Sequence, residues 1–132
     1  MTRDEILAGV RECLGRVKET DPASIREDSR VIGDLGLDSL DLLDLIFQLE
    51  QQFKIRIKPG EIERRARACL GDEPMEHEGV YTLAGLRQLR EALPEVPPEE
   101  LAEGLTTAGL VQRFRVVTFV NLVEALRKES HA

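Results

Sequence analysis

Gly36-Leu37-Asp38-Ser39-Leu40-Asp41-Leu42-Leu43-Asp44-Leu45-Ile46-Phe47-Gln48-Leu49-Glu50-Gln51-Gln52-Phe53 is the stretch on which the reading of this chain turns. From Leu40 to Phe53 it holds no Gly and no Pro, and its only β-branched residue is Ile46, so it reads as a helix. Asp38 and Ser39 are both good N-terminal caps, and Gly36 lets the preceding loop turn in tightly. A phosphate ester on Ser39 would face free backbone N–H groups and the positive end of the helix dipole. No residue near Ser39 in sequence has the character of a catalytic base, so Ser39 reads as a residue to be modified rather than a nucleophile acting alone.

At about 100° per residue, Asp41, Asp44, Gln48 and Gln51 fall within one stripe of this helix. Leu42, Leu43, Ile46, Leu49 and Phe53 are expected to pack inward, with Leu40 and Phe47 on an edge between core and acid.

The residues Leu35-Gly36-Leu37, Asp38-Ser39-Leu40, Asp41, Asp44 and the closing Phe53 together resemble an acyl carrier protein. The likeness covers Ile6 to about Ile57, and less specifically Val116 to Leu126. It implies an all-α helical bundle in which Ser39 carries a 4′-phosphopantetheine arm, added by a separate phosphopantetheinyl transferase. The arm's thiol would hold acyl chains for acyl-loading enzymes and acyltransferases with basic docking surfaces. The same resemblance assigns partner binding to Asp38, Leu40, Asp41, Asp44, Phe47 and Glu50. On this reading the chain is a carrier for fatty acid or other lipid biosynthesis, with no catalytic residue of its own.

Two other readings stay open. One is a carrier-like interaction module that never receives the arm. The other is a small serine hydrolase, although Gly36 and Asp38 are separated by Leu37 and no Asp lies three residues before either His.

Upstream, Thr2 caps a first helix with Glu5 as its capping-box partner, and Ile6, Val10, Cys13, Leu14 and Val17 form one apolar face. Asp21-Pro22 ends it. In the loop that follows, Ile25, Val31, Ile32, Leu35 and Leu37 are spaced as anchors that pin the approach to Ser39 onto the core.

Downstream, Lys54-Ile55-Arg56-Ile57-Lys58 alternates but has no evident partner strand, so an extended loop burying Ile55 and Ile57 is expected. Glu61 to Leu70 reads as a helix bearing Arg64, Arg65 and Arg67, which either meet an acidic partner or phosphorylated substrate or pair internally with the acidic insertion, the internal pairing being favoured. Phe53 and Thr118 are separated by 64 residues, far more than in ordinary acyl carriers. The chain is therefore read as a single domain, 1–132, with an insertion at about 70–112 before the last helix. The insertion is expected to hold a helix from Thr82 to Leu93 with Leu83, Leu86, Leu89 and Leu93 on its apolar stripe, and a short helix from Thr106 to Phe114. The stripe is expected to fold onto the bundle, where it either shelters a long acyl chain or only caps the bundle. The last helix could open at Thr82 or at Thr118. Val117-Thr118-Phe119-Val120 favours the later position, because it leads into Leu122, Val123 and Leu126 at helical spacing. The Pro-Pro-Glu-Glu-Leu segment and Gly104-Leu105-Thr106 resemble the specialised long carriers of lipid A and lipopolysaccharide acylation.

Charge is blocked. Residues 1–53 hold 6 basic and 12 acidic side chains, residues 54–69 hold 6 and 2, and residues 70–112 hold 2 and 9. The net charge of −7 argues against nucleic acid as a partner and for basic protein surfaces. No apolar run approaches the ~20 residues of a membrane span, and Met1 to Glu5 lacks an apolar signal region. A cytoplasmic, monomeric protein is the expectation. Cys13 and Cys69 are too few for a disulfide framework. Cys69, Glu73, Glu76, His77 and Glu78 cluster, but their spacing matches no structural zinc site, so no metal is expected. His131 reads as a tail residue.

Overall fold

The computed structural model describes residues 1–68 and 70–130, so Cys69 and His131 lie outside the described residues. The chain divides into two compact units, Met1–Ile57 with Arg115–Ala132, and Lys58–Phe114.

The first unit is three helices and a long loop. Helix α1, Arg3–Lys18, starts at Thr2, whose hydroxyl accepts from the Glu5 N–H while the Glu5 carboxylate accepts from the Thr2 N–H. It ends on Glu19 in the left-handed conformation, two residues ahead of Asp21-Pro22. Helix α2 is Ser39–Phe53, and α5, the last helix in the chain, is Val116–Ser130. Both α2 and α5 pack against α1. The core between them is built from Ile6, Val10, Leu14, Leu45, Leu49, Phe53, Phe119 and Val123, all buried. A Cβ on Gly9 would come 2.5 Å from Cζ of Phe53, so a side chain there would displace the Phe53 ring where α1 and α2 meet. Because α5 closes this unit, the final bundle helix begins near Thr118, and the earlier start at Thr82 is excluded.

Wheel placement of α2 needs one correction. Leu43, expected in the core, is 65% exposed, and Leu45 is fully buried in its place. The buried arc runs through Leu45, Leu49 and Phe53, with Leu42 and Ile46 half-buried on its flank. Leu43 lies beyond that arc, in a row with Leu40 and Phe47 at helical spacing.

The second unit has a separate core of Met75, Tyr81, Leu86, Leu89, Leu93, Val96, Leu101, Leu105 and Leu110, together with Ala66. It contains α3, Glu61–Arg67, a hairpin of two-residue strands, β1, Glu76–His77, and β2, Val80–Tyr81, and α4, Leu83–Ala92. The hairpin pairs antiparallel, Glu76 with Tyr81 and His77 with Val80. Thr82, read as the first residue of α4, is its cap, and Leu83 is 68% exposed rather than part of the buried stripe. As the first residue of the helix it is turned off the face that Leu86, Leu89 and Leu93 present to the core. Those three leucines find their partner surface inside this unit. The helix expected over Thr106–Phe114 is a 3₁₀ turn at Leu110–Arg113 only. Helix α3 stops at Arg67, and Arg65 pairs with Glu61 of its own helix, at 3.8 Å.

Among the described residues, no helix is long and apolar enough to cross a membrane, and no group of three His, Cys, Asp or Glu side chains is placed to hold a metal ion.

Candidate functional site

The loop from Glu19 to Asp38 delivers Ser39, and it is tied down at several points. Ile25, Val31 and Leu37 are buried, while Ile32 and Leu35 are half-buried, so the five apolar anchors are graded rather than uniform. Arg11 Nε donates to the Ile25 carbonyl at 2.8 Å. The Val116 and Val117 N–H groups donate to the Ser29 and Glu27 carbonyls, which fixes the loop to the start of α5. The Asp34 carboxylate accepts from the Arg30 N–H at 2.8 Å and from its guanidinium. Those contacts, the backbone one first, hold the Asp34 carboxyl below its ordinary range. Gly36 then takes a left-handed φ of 76°, which turns the chain toward α2 at low cost only for glycine.

Ser39 is the first residue of α2, not its cap. Asp38 is the N-cap: its carboxylate accepts from the Asp41 N–H at 2.9 Å, and the Asp41 carboxylate accepts from the Asp38 N–H at 3.2 Å. The sequence leaves capping open between Asp38 and Ser39, and the structure gives it to Asp38 alone. Ser39 is exposed, and among the described residues no hydrogen bond engages its hydroxyl. The two nearest carboxylates in sequence, Asp38 and Asp41, are both engaged in the capping box. Ser24, by contrast, donates its hydroxyl to the Asp21 carbonyl at 2.7 Å, and Ser29 is half-buried.

Lys18 is a residue without a role in the sequence reading. Its Nζ lies 3.5 Å from Asp41 Oδ2 and 3.3 Å from the Gly36 carbonyl, so the end of α1 braces both the turn and the capping box. The signal was present in the sequence as a lysine in the last turn of α1, but nothing there showed what it would meet.

The other candidate residues occupy one exposed face of α2. Leu40 is 76% exposed and Phe47 59% exposed, with Leu43 between them. Asp38 and Asp44 are exposed and Asp41 is partly covered. Asp44 accepts from Gln48, whose amide oxygen in turn accepts from Arg16 Nε at 2.7 Å. Glu50 is set apart from this face: its carboxylate accepts from the Ile57 N–H at 2.8 Å and holds down the extended segment after α2, where Ile55 is buried and Ile57 half-buried. Behind the face, the buried Cys13 thiol sits near Gln52 and Arg16, and burial pushes its pKa up, away from reactivity.

A family described as "Phosphopantetheine attachment site" matches residues 8–66, which include the loop, the cap and all of α2. The acyl carrier protein of Thermotoga maritima is 32% identical over 63 residues, 48% of this chain and 78% of that protein.

The chain belongs to the acyl carrier protein family.

The acyl carrier protein of a Sulfurovum species is 38% identical over 63 residues, 48% of this chain and 81% of that protein. Acyl carrier protein AcpXL of Rhizobium etli is 42% identical over 48 residues, 36% of this chain and 52% of that protein. No solved structure matches the chain significantly. As an acyl carrier protein it has 4′-phosphopantetheine as its prosthetic group, and phosphopantetheinyl transferase and acyl-handling enzymes as its class of partners. These relatives are named as carrier proteins. The residues present fit such a group: the exposed Ser39 hydroxyl stands at the N-terminal end of α2, whose first N–H groups have no partner within the helix and favour an anionic phosphate.

Proposed function

We propose that Ser39 carries the 4′-phosphopantetheine arm and that the thiol of the arm holds acyl chains as thioesters for transfer to partner enzymes. The observation that carries this reading is the division of labour at the start of α2. Asp38 caps the helix, so the Ser39 hydroxyl is left exposed and without a structural duty. When bound, the group supplies a thiol able to form thioesters. The chain's own residues present and orient it. Asp38 and Asp41 fix the helix start, and Lys18 and Gly36 fix the approach.

The docking face is Asp38, Leu40, Asp41, Asp44 and Phe47, with Leu43 added from its exposure. Three large apolar side chains in water, framed by carboxylates, suit an apolar socket with a basic rim. Each exposed ion pair contributes only about 0.2–1 kcal/mol, so the charges steer encounter and register while the leucines and Phe47 supply contact area. Glu50 belongs to this surface only in part, because its carboxylate already serves Ile57.

The pathway we propose is acylation of lipid A, lipopolysaccharide or another specialised lipid. It is supported by the length of the segment between Phe53 and Thr118 and by the motifs around Pro97-Pro98 and Gly104-Leu105-Thr106.

The deciding experiment is co-expression with a broad-specificity phosphopantetheinyl transferase followed by intact mass. The wild-type chain should gain the mass of one phosphopantetheinyl group, and Ser39→Ala should gain none. An unmodified wild-type chain, beside a control carrier that is modified, overturns the assignment.

A further inference from the structure

The second unit leaves two large apolar side chains in water, Val80 at 39% exposure and Leu83 at 68%. They are separated in sequence only by Tyr81, which is buried, and Thr82, the cap of α4. The backbone beneath them is held from three directions. The Thr82 N–H donates to the Met75 carbonyl and its hydroxyl to the Pro74 carbonyl, at 3.0 and 2.7 Å. The Tyr81 N–H donates to the Leu105 carbonyl, and the Thr107 N–H to the Gly79 carbonyl. Rigid backbone displaying unburied aliphatic side chains is what a contact surface requires and what a folding core does not.

The frame around the pair is acidic. Glu76 and Glu78 sit on the hairpin that carries Val80, and both are exposed. Asp72 and Glu73, also exposed, lead into Pro74, which the Thr82 hydroxyl holds beside Leu83. From Asp72 to Arg87 the cationic side chains are Arg87 alone and, when protonated, His77. Phosphate backbones and anionic lipid surfaces are repelled by such a frame, and so is an identical acidic patch on a second copy.

We propose that Val80 and Leu83, framed by Asp72, Glu73, Glu76 and Glu78, form a second protein-docking surface whose partner offers an apolar socket rimmed by Lys and Arg. Its chemistry repeats that of α2, but it lies wholly within Lys58–Phe114 and stands whether or not Ser39 carries the arm.

The test uses the full-length ¹⁵N-labelled protein and a synthetic amphipathic peptide of leucine and lysine as the probe. Amide shifts should saturate over residues 76–87, and Leu83→Ser should weaken that binding about tenfold, a typical consequence of losing an anchor side chain. Glu76→Lys with Glu78→Lys should remove it, while Leu40→Ser should leave it unchanged. Val80→Thr serves as a second variant should Leu83→Ser alter the spectrum of the free protein. Shifts confined to α2, or undiminished binding by correctly folded Leu83→Ser and Val80→Thr, overturn the proposal. So does a concentration-dependent dimer in sedimentation that Leu83→Ser dissolves, or binding to anionic phosphatidylglycerol vesicles that Leu83→Ser removes.

Discussion

Asp41 and Asp44 look alike on a helical wheel but are bound differently, and their reversal should separate two effects. Asp44 meets only Gln48 and solvent, so Asp44→Lys should change stability by no more than ~0.5 kcal/mol. It should nonetheless slow loading by the transferase at low salt, with the difference shrinking as salt rises. Asp41 completes the capping box and meets Lys18, so Asp41→Lys should also cost about 1 kcal/mol of folding stability. Thermal melts of the two variants beside their loading rates check this, and equal melting temperatures would show that the box contributes nothing. Leu43→Ser should slow loading without loss of stability, because burial gains nothing from a side chain already in water. At Asp34 the folded-state carboxyl lies below its unfolded value. Its stabilising contribution is therefore present above the unfolded pKa and disappears as pH falls through the folded one. Asp34→Asn should flatten the acid side of a plot of melting temperature against pH.

At the scale of single elements, what was legible in the sequence was local. The Thr2–Glu5 box and the stop at Asp21-Pro22 rest on side chains bonding backbone a few residues away, and both are where the pattern puts them; the helix read from Thr82 to Leu93 is found as α4, with Thr82 as its cap. Helix α2 was legible as a helix, but its faces were only partly so. Leucine or isoleucine occurs around most of its circumference, so residue type alone could not say that Leu45 goes inward and Leu43 outward. That choice belongs to α1 and α5, which pack against it. The hairpin from Glu76 to Tyr81, with two residues in each strand, left too short a trace for a period of two to show, and it is tied by backbone bonds to residues 105–107. Tyr81 lets that element be probed directly, since it is the only tyrosine in a chain without tryptophan. Its hydroxyl donates to Glu63 at 2.9 Å. Burial first, then that carboxylate, pushes the phenol's pKa well above its ordinary value. A raised folded pKa gives stability that is whole below the unfolded value and lost as pH rises toward the folded one. Absorbance titration should show phenolate appearing later than in an unfolded control, and Glu63→Gln should bring it earlier. Coincident curves would show that the Tyr81–Glu63 contact is not formed in solution.

For the molecule as a whole, the carrier part could be read because Asp38-Ser39-Leu40 and its flanking helices are contiguous in sequence. The return of the chain through α5 was legible from the spacing of Leu122, Val123 and Leu126. What the pattern could not show is that the intervening residues gather a core of their own, reaching back to Ala66, since that depends on contacts far apart in sequence. Two cores predict unfolding that departs from a single cooperative step. Calorimetry should give a van't Hoff enthalpy below the calorimetric one, and residues 58–114 replaced by a Gly/Ser linker should leave a unit that still accepts the arm on Ser39. A two-state melt with matched enthalpies would show instead that the units unfold together.

The order in which the chain leaves a ribosome gives the position of α5 a further meaning. Helices α1 and α2 are made before residues 58–114, yet the helix that closes their unit is made after them. The interposed residues 58–114 are complete before it and can settle into their own core while the earlier helices wait. Until Val116–Ser130 emerges, the apolar faces of α1 and α2 are unfinished, and a growing chain is most exposed to mispairing and chaperone capture in that interval. A chain cut off before Val116 would keep the serine and its cap in sequence but lack the helix against which α1 packs. For this protein, premature termination late in synthesis should therefore be as damaging as a lesion at Ser39 itself.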